Sequence, residues 1–142
     1  MTIALETQSI SSEEKLFRNV LQAVFQLSNK QLDCFFQIRN LSQSRTCILN
    51  LVQKLGSERS LVQKQIKTLL DRGLIIRDAV SLSEFKAHCI ESGRADLEPT
   101  SNKGYLYLYS ALPDSVLLQK IQTSLIDWIN FIETYLNSSL EF

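Results

Sequence analysis

Apolar residues recur at helical spacing through most of the chain and alternate strictly in one short run. Phe17, Val20, Leu21 and Val24 form the inner stripe of a helix over about residues 12–25, widened by Leu16 and Phe25. Ser11 and Glu14 stand at capping-box spacing before it. Residues 28–31 repeat the capping signal, and a second helix ending near residue 41 is predicted, carrying Leu32, Phe35, Phe36 and either Ile38 or Arg39 on alternate sides, with Cys34 within or beside its apolar face. Residues 44–77 then read as helix, glycine turn, helix, glycine stop and strand. Ile48, Leu51, Val52 and Leu55 mark the first of these helices, and Gly56 follows where a left-handed residue is easiest. Ser57 is the expected cap of the next helix, which buries Val62, Ile66, Leu69 and Leu70 and stops at Gly73. A short strand over 74–77 completes the unit.

Beyond residue 77 the pattern changes. Residues 78–103 are mixed, with a short helix open over 83–91 and an exposed loop over 93–103. Residues 105–109 then alternate, Tyr105, Tyr107 and Tyr109 on one face and Leu106 and Leu108 on the other, the period of a half-buried strand. Two strands around a loop, directly after two helices about a glycine turn, predict a helix-turn-helix with a β-hairpin wing. The loop of roughly 25 residues is long for a hairpin. From Pro113 and Asp114 to about residue 137, Leu118, Ile121, Leu125, Trp128, Ile132 and Tyr135 keep a 3-4-3-4-3 spacing, a heptad seam. Leu117, Ile126, Ile129, Phe131 and Leu136 lie beside it. The predicted fold is mainly α with a small β-hairpin wing, flanked by amino- and carboxy-terminal helices that serve dimerisation. Its segments are 1–27, 28–112 and 113–142.

The residues left outside the apolar stripe carry the candidate chemistry. With Val62, Ile66 and Leu69 inward, Ser60, Gln63, Lys64 and Lys67 project outward, and Arg59 protrudes from the first turn. Arg and Gln side chains read base edges through paired hydrogen bonds, while Lys and Ser satisfy phosphates. Arg45 and Ser57 border this face. Arg94 and Lys103, in the wing loop, either touch a DNA backbone or only solvate the loop. The alternative for the whole face is an ordinary solvated surface.

Charge changes that balance. The 142 residues hold 15 Lys and Arg against 15 Asp and Glu, for a formal charge of zero. The zero hides a segregation. Residues 45–77 hold seven cations and two carboxylates, residues 78–142 four cations and nine carboxylates, and residues 1–44 balance. A local basic patch is the electrostatic footprint of a nucleic-acid binder.

Composition excludes several classes. No run of about eighteen apolar residues predicts a membrane span. The first residues lack the basic flank and apolar core of a secretion signal, so a cytoplasmic location is expected. Cys34, Cys47 and Cys89 are odd in number and lack CxxC spacing, which predicts neither a disulfide framework nor a structural zinc. Cys34 and Cys47 are expected as buried inert thiols and Cys89 as the most exposed of the three. His88 is the single histidine, and neither a glycine-rich phosphate loop nor a GxSxG serine is present, so no enzyme and no cofactor is expected.

The run GSERSLVQKQIKTLLDRGLIIR, followed by GYLYLYSALP and a long amphipathic helix, resembles the winged helix-turn-helix transcriptional regulators, nearest to the archaeal TrmB-like and MarR-like groups. The likeness covers roughly residues 28–137. It implies that residues 58–72 form a recognition helix, that strands 74–77 and 105–109 flank the wing, and that the terminal helix pairs with its counterpart in a homodimer on palindromic double-stranded DNA. The sugar sensing of larger TrmB proteins is not implied. A small-molecule effector, its identity unknown, would lie between the wing domain and the dimer helices. The competing expectation is a winged-helix protein-interaction subunit of a larger assembly that does not itself read DNA.

Overall fold

The computed structural model describes residues 11–41, 45–89 and 106–139. Its elements are α1 (Ser12–Phe25), α2 (Asn29–Leu41), α3 (Ile48–Leu55), α4 (Arg59–Asp71), β1 (Ile75–Val80), α5 (Leu82–His88), β2 (Leu106–Ala111) and α6 (Asp114–Ser139). The fold is mainly helical with one two-stranded antiparallel hairpin, the make-up of a winged helix. Two compact units are formed. One spans Asn29–Pro113, and the other combines the two terminal segments and contains α1 and α6.

In the unit Asn29–Pro113, helices α2, α3 and α4 pack on one another, α2 also meets β2, and α4 meets β1. Leu32, Phe35, Ile38, Leu51, Val62, Leu69 and Leu74 are almost wholly withdrawn from solvent. Each such side chain contributes about 1.5–3 kcal/mol through removal of apolar surface from water. Phe35 and Phe36 meet edge to face with centroids 5.6 Å apart. In α2 Leu32, Phe35 and Phe36 are buried, and of the pair Ile38 and Arg39 it is Ile38 that turns inward.

The turns around α4 follow from glycine. Gly56 ends α3 with φ 62°, and its amide donates to the Val52 carbonyl at 2.9 Å. A side chain at this position would meet open space, so the positive φ alone sets the preference. Glu58, not Ser57, holds the capping position of α4, and its side chain makes no capping bond. At the other end Gly73, φ 72°, donates to Leu70 at 3.0 Å and Leu74 to Leu69 at 2.9 Å. These paired bonds close the last carbonyls of α4 in a Schellman turn. The chain then emerges as β1.

Both strands are longer than expected. The antiparallel register runs from Ile75 opposite Ala111 to Val80 opposite Leu106. Thr46, ahead of α3, extends the sheet by a third partner: its amide donates to the Tyr109 carbonyl at 2.9 Å, and its carbonyl accepts from the Tyr109 amide at 2.8 Å. Leu106 and Leu108 face a small apolar cluster with Phe85, while Tyr107 lies on the opposite face, as the alternation predicts. Tyr105 lies outside the described residues. The short helix foreseen over 83–91 is α5, capped by Ser81 Oγ, which accepts from the Glu84 amide at 3.2 Å.

The cysteine expectation is corrected. Cys47 and Cys89, 42 residues apart, are joined by a disulfide with their Cα atoms 5.6 Å apart. Neither is an inert thiol, and Cys89 is buried rather than exposed. Their meeting is tertiary: the Thr46–Tyr109 pairing and the packing of α5 on β2 bring them together, so no local spacing announces it. Cys34 is free and buried, as expected.

In the terminal unit, Ser11 Oγ accepts from the Glu14 amide at 3.0 Å and opens α1. Helix α6 packs against α1 and buries Leu117 and Ile121. The remaining heptad residues are exposed, Leu118 at 55%, Leu125 at 38%, Trp128 at 42%, Ile132 at 50% and Tyr135 at 62%. Lengths explain this. At 1.5 Å per residue, α1 with 14 residues spans about 21 Å and α6 with 26 residues about 39 Å. The shorter helix leaves much of the longer one uncovered. No helix among the described residues is long and apolar enough to cross a membrane.

Truncating Leu69 to Ala is expected to lower stability by about 2–5 kcal/mol, whereas Leu118→Ala changes the free chain by less than about 0.5 kcal/mol. Denaturant titration of the two variants checks the contrast.

Candidate nucleic-acid interface

Helix α4 is amphipathic in the manner a groove reader needs. Val62, Ile66 and Leu69 point into the core, and Arg59, Ser60, Gln63, Lys64 and Lys67 are exposed. Ser60, Gln63, Lys64 and Lys67 fall at i, i+3, i+4 and i+7, so they share one face. Ser57 is half-buried just before the helix. Five adjacent side chains thus offer ammonium, guanidinium, amide and hydroxyl donors from the first two turns onward, the end with which recognition helices lead.

Arg45 stands apart from this face. Its guanidinium pairs with Glu84 and lies 3.7 Å from Asp78. Two carboxylates cancel its charge, so it holds the lead into α3 against the wing and adds little positive potential. Arg94 and Lys103 lie outside the described residues.

Sequence reasoning missed a contribution from β1. Arg77 stacks over the Tyr107 ring, 4.5 Å from its centroid. The contact fixes an otherwise mobile cation on the outer face of the wing. Beside it Tyr109 is buried, and burial raises its phenol pKa, while the charges of Arg77 and Arg59 pull it back down. The two arginines act on this phenol from two elements, Arg59 from the first turn of α4 and Arg77 from the middle of β1. The signal was available. Alternation put the tyrosines of 105–109 on one face, and pairing of residue 77 with residue 109 puts Arg77 on that face too.

Among the described residues no group of His, Cys, Asp or Glu is arranged to hold a metal ion. The Cys34 thiol is pushed up to about 12, by burial first and by the neighbouring charge of Asp33 second. A thiolate is the reactive form, so this sulfur is chemically quiet in the folded chain.

No family model matches the chain. An uncharacterized protein of Methanocaldococcus jannaschii is 22% identical over 126 residues, covering 89% of this chain and 80% of the relative. A solved structure from Methanosarcina mazei, described as a possible transcriptional regulator, superposes with a TM-score of 0.65 at 17% identity, covering 86% of this chain and 87% of the other. The two share a fold across most of their lengths.

Cys34 stays neutral in the folded chain and would ionise near its ordinary value of 9.0 when unfolded. Its contribution to stability is therefore complete below pH 9 and is lost as pH rises toward 12. Cys34→Ala is expected to flatten the alkaline fall in stability, measured by denaturant titration across that window. Iodoacetamide at mildly alkaline pH is expected to label Cys34 only after denaturation.

Proposed function

We propose that this protein is a dimeric, sequence-specific transcriptional regulator of double-stranded DNA, of the TrmB-like or MarR-like winged-helix kind, acting in the cytoplasm. Helix α4 lies in the major groove, where Arg59 and Gln63 read base edges and Ser60, Lys64 and Lys67 bind phosphates. The observation that carries this reading is the exposed face of α4, where Arg59, Ser60, Gln63, Lys64 and Lys67 stand together, with the Arg77–Tyr107 pair as a further fixed cation on the wing. The segregation of charge along the chain supports it, since the excess cations lie in residues 45–77. The shared fold with a possible transcriptional regulator of Methanosarcina mazei supports it as well.

The dimer follows from α6. Leu125, Ile126, Trp128, Ile129, Phe131, Ile132, Tyr135 and Leu136 are exposed along one helix. A water-facing apolar surface of this extent is a mark of association. A second α6 offers the same heptad and the same length, and an isologous pair places two α4 helices on two half-sites. The same apolar helix also favours a second reading, in which a different protein covers it and no DNA is read.

Selection from a random duplex pool at two salt concentrations distinguishes the readings. A palindromic motif whose binding weakens steeply with salt is the expected result. In the selected duplex, Arg59→Ala with Lys64→Ala is expected to abolish tight binding with the fold intact. Arg77→Ala is expected to weaken all sequences alike and to reduce the salt slope by about 1. Unchanged affinity in the double variant would overturn the DNA-reading role.

Light scattering tests the assembly separately. The native chain is expected at twice its 16.2 kDa, and Ile129→Glu with Ile132→Glu at the monomer mass. A native monomer that recovers one stoichiometric foreign subunit would favour the interaction module.

A further inference from the structure

We propose that Cys47 and Cys89 are a reversible dithiol–disulfide couple that latches α5 onto the amino-terminal end of α3. The inference rests on the DNA-reading proposal in one respect: a chain that reads DNA works where thiols are kept reduced. There, in mesophilic cells, a disulfide in a protein is generally a transient, redox-responsive one.

The geometry supports two stable states. With Cα atoms 5.6 Å apart, the two cysteines are placed for a bond without movement of the backbone. Their surroundings, Phe85 and Leu108 with Leu49, Val80 and Leu106 beside them, are apolar. A thiol behaves as a small apolar group, so the pocket also accepts the two reduced side chains without an unsatisfied polar atom. The cap on α3 does not demand the bond either, because Cys47 Sγ accepts from the Asn50 amide at 3.4 Å, a role open to a thiol sulfur.

What the bond changes is the hold on α5. That helix has seven residues, and Phe85 is its buried anchor. Besides the disulfide, its ties to the lead of α3 include the Arg45–Glu84 pair and the bond from Asn50 Nδ2 to the His88 carbonyl at 3.0 Å. Polar ties at a partly exposed site exchange readily with water. Breaking the covalent tie therefore leaves α5 on its weakest footing.

The chemistry is thiol–disulfide exchange with a small or protein dithiol. Its thiolate attacks one sulfur, the S–S bond breaks, and the other cysteine leaves as a thiolate and takes up a proton. The second thiol of the reductant then closes onto the mixed disulfide. The couple gains two electrons and two protons, and the dithiol is oxidised to its own disulfide.

Hydrogen exchange of the full chain, oxidised and after treatment with dithiothreitol, tests the latch without DNA. Amides of α5 are expected to exchange about tenfold faster or more after reduction. Protection should return on reoxidation with oxidised glutathione, with the Cys47–Cys89 linkage seen by mass spectrometry. Cys89→Ser should behave as the reduced chain, and Cys34→Ser as the native one. Equal α5 protection in the two states, or a loss that reoxidation does not restore, would overturn the latch. Redox-dependent protection in a chain that binds no duplex would sink the DNA reading and leave the latch standing.

Discussion

The helix-turn-helix is held to its wing by the six residues that lead into and open α3. Thr46 pairs with Tyr109 through two backbone bonds, and Arg45 reaches Glu84 and Asp78. Cys47 is bonded to Cys89, and Asn50 bridges Thr46 Oγ1 and the His88 carbonyl. Thr46 and Asn50 are the buried polar side chains among the described residues, and each spends its polar atoms on this junction. Buried polar groups are tolerated only when satisfied, and a satisfied set permits one arrangement rather than many. The angle between α3 and the sheet is fixed here, and with it the position of α4, which α3 and the Gly56 turn carry.

This junction also explains the limits of the sequence. Helices α1 to α4 and α6 were legible because each buries a stripe repeated at 3.6 residues, and the glycines at 56 and 73 mark their ends. The alternation of Tyr107, Leu108 and Tyr109 revealed β2 for the same reason. The ends of β1 were not legible. Asp78 and Ala79 have no strand preference of their own and extend only because Leu108 and Tyr107 lie opposite. The disulfide was invisible because its partners meet through sheet pairing across 42 residues. Arg45 looked like one more basic residue until the fold supplied its two carboxylates.

The candidate site was legible in its helical part alone. Periodicity divides α4 into a buried and an exposed face, so Arg59, Ser60, Gln63, Lys64 and Lys67 could be named from spacing. Arg77 required the register of two strands distant in sequence. Its stacking on Tyr107 turns a residue that reads as a strand end into a fixed charge on the outer face of the wing. Helix α6 raises a different question. A helix that keeps its apolar face uncovered is stable in water only as far as its partner allows, and α1 accounts for its opening turns only.

The bond between residues 47 and 89 encloses α3, α4, β1 and α5 in one covalent ring. A ribosome releases Cys89 only after the whole of α4 has been made, so the ring cannot close around an incomplete α4. Once closed, it keeps both halves of a chain cut anywhere within it. A protease that nicks the turn at Gly56 or Gly73 leaves two fragments that travel together until a reductant parts them.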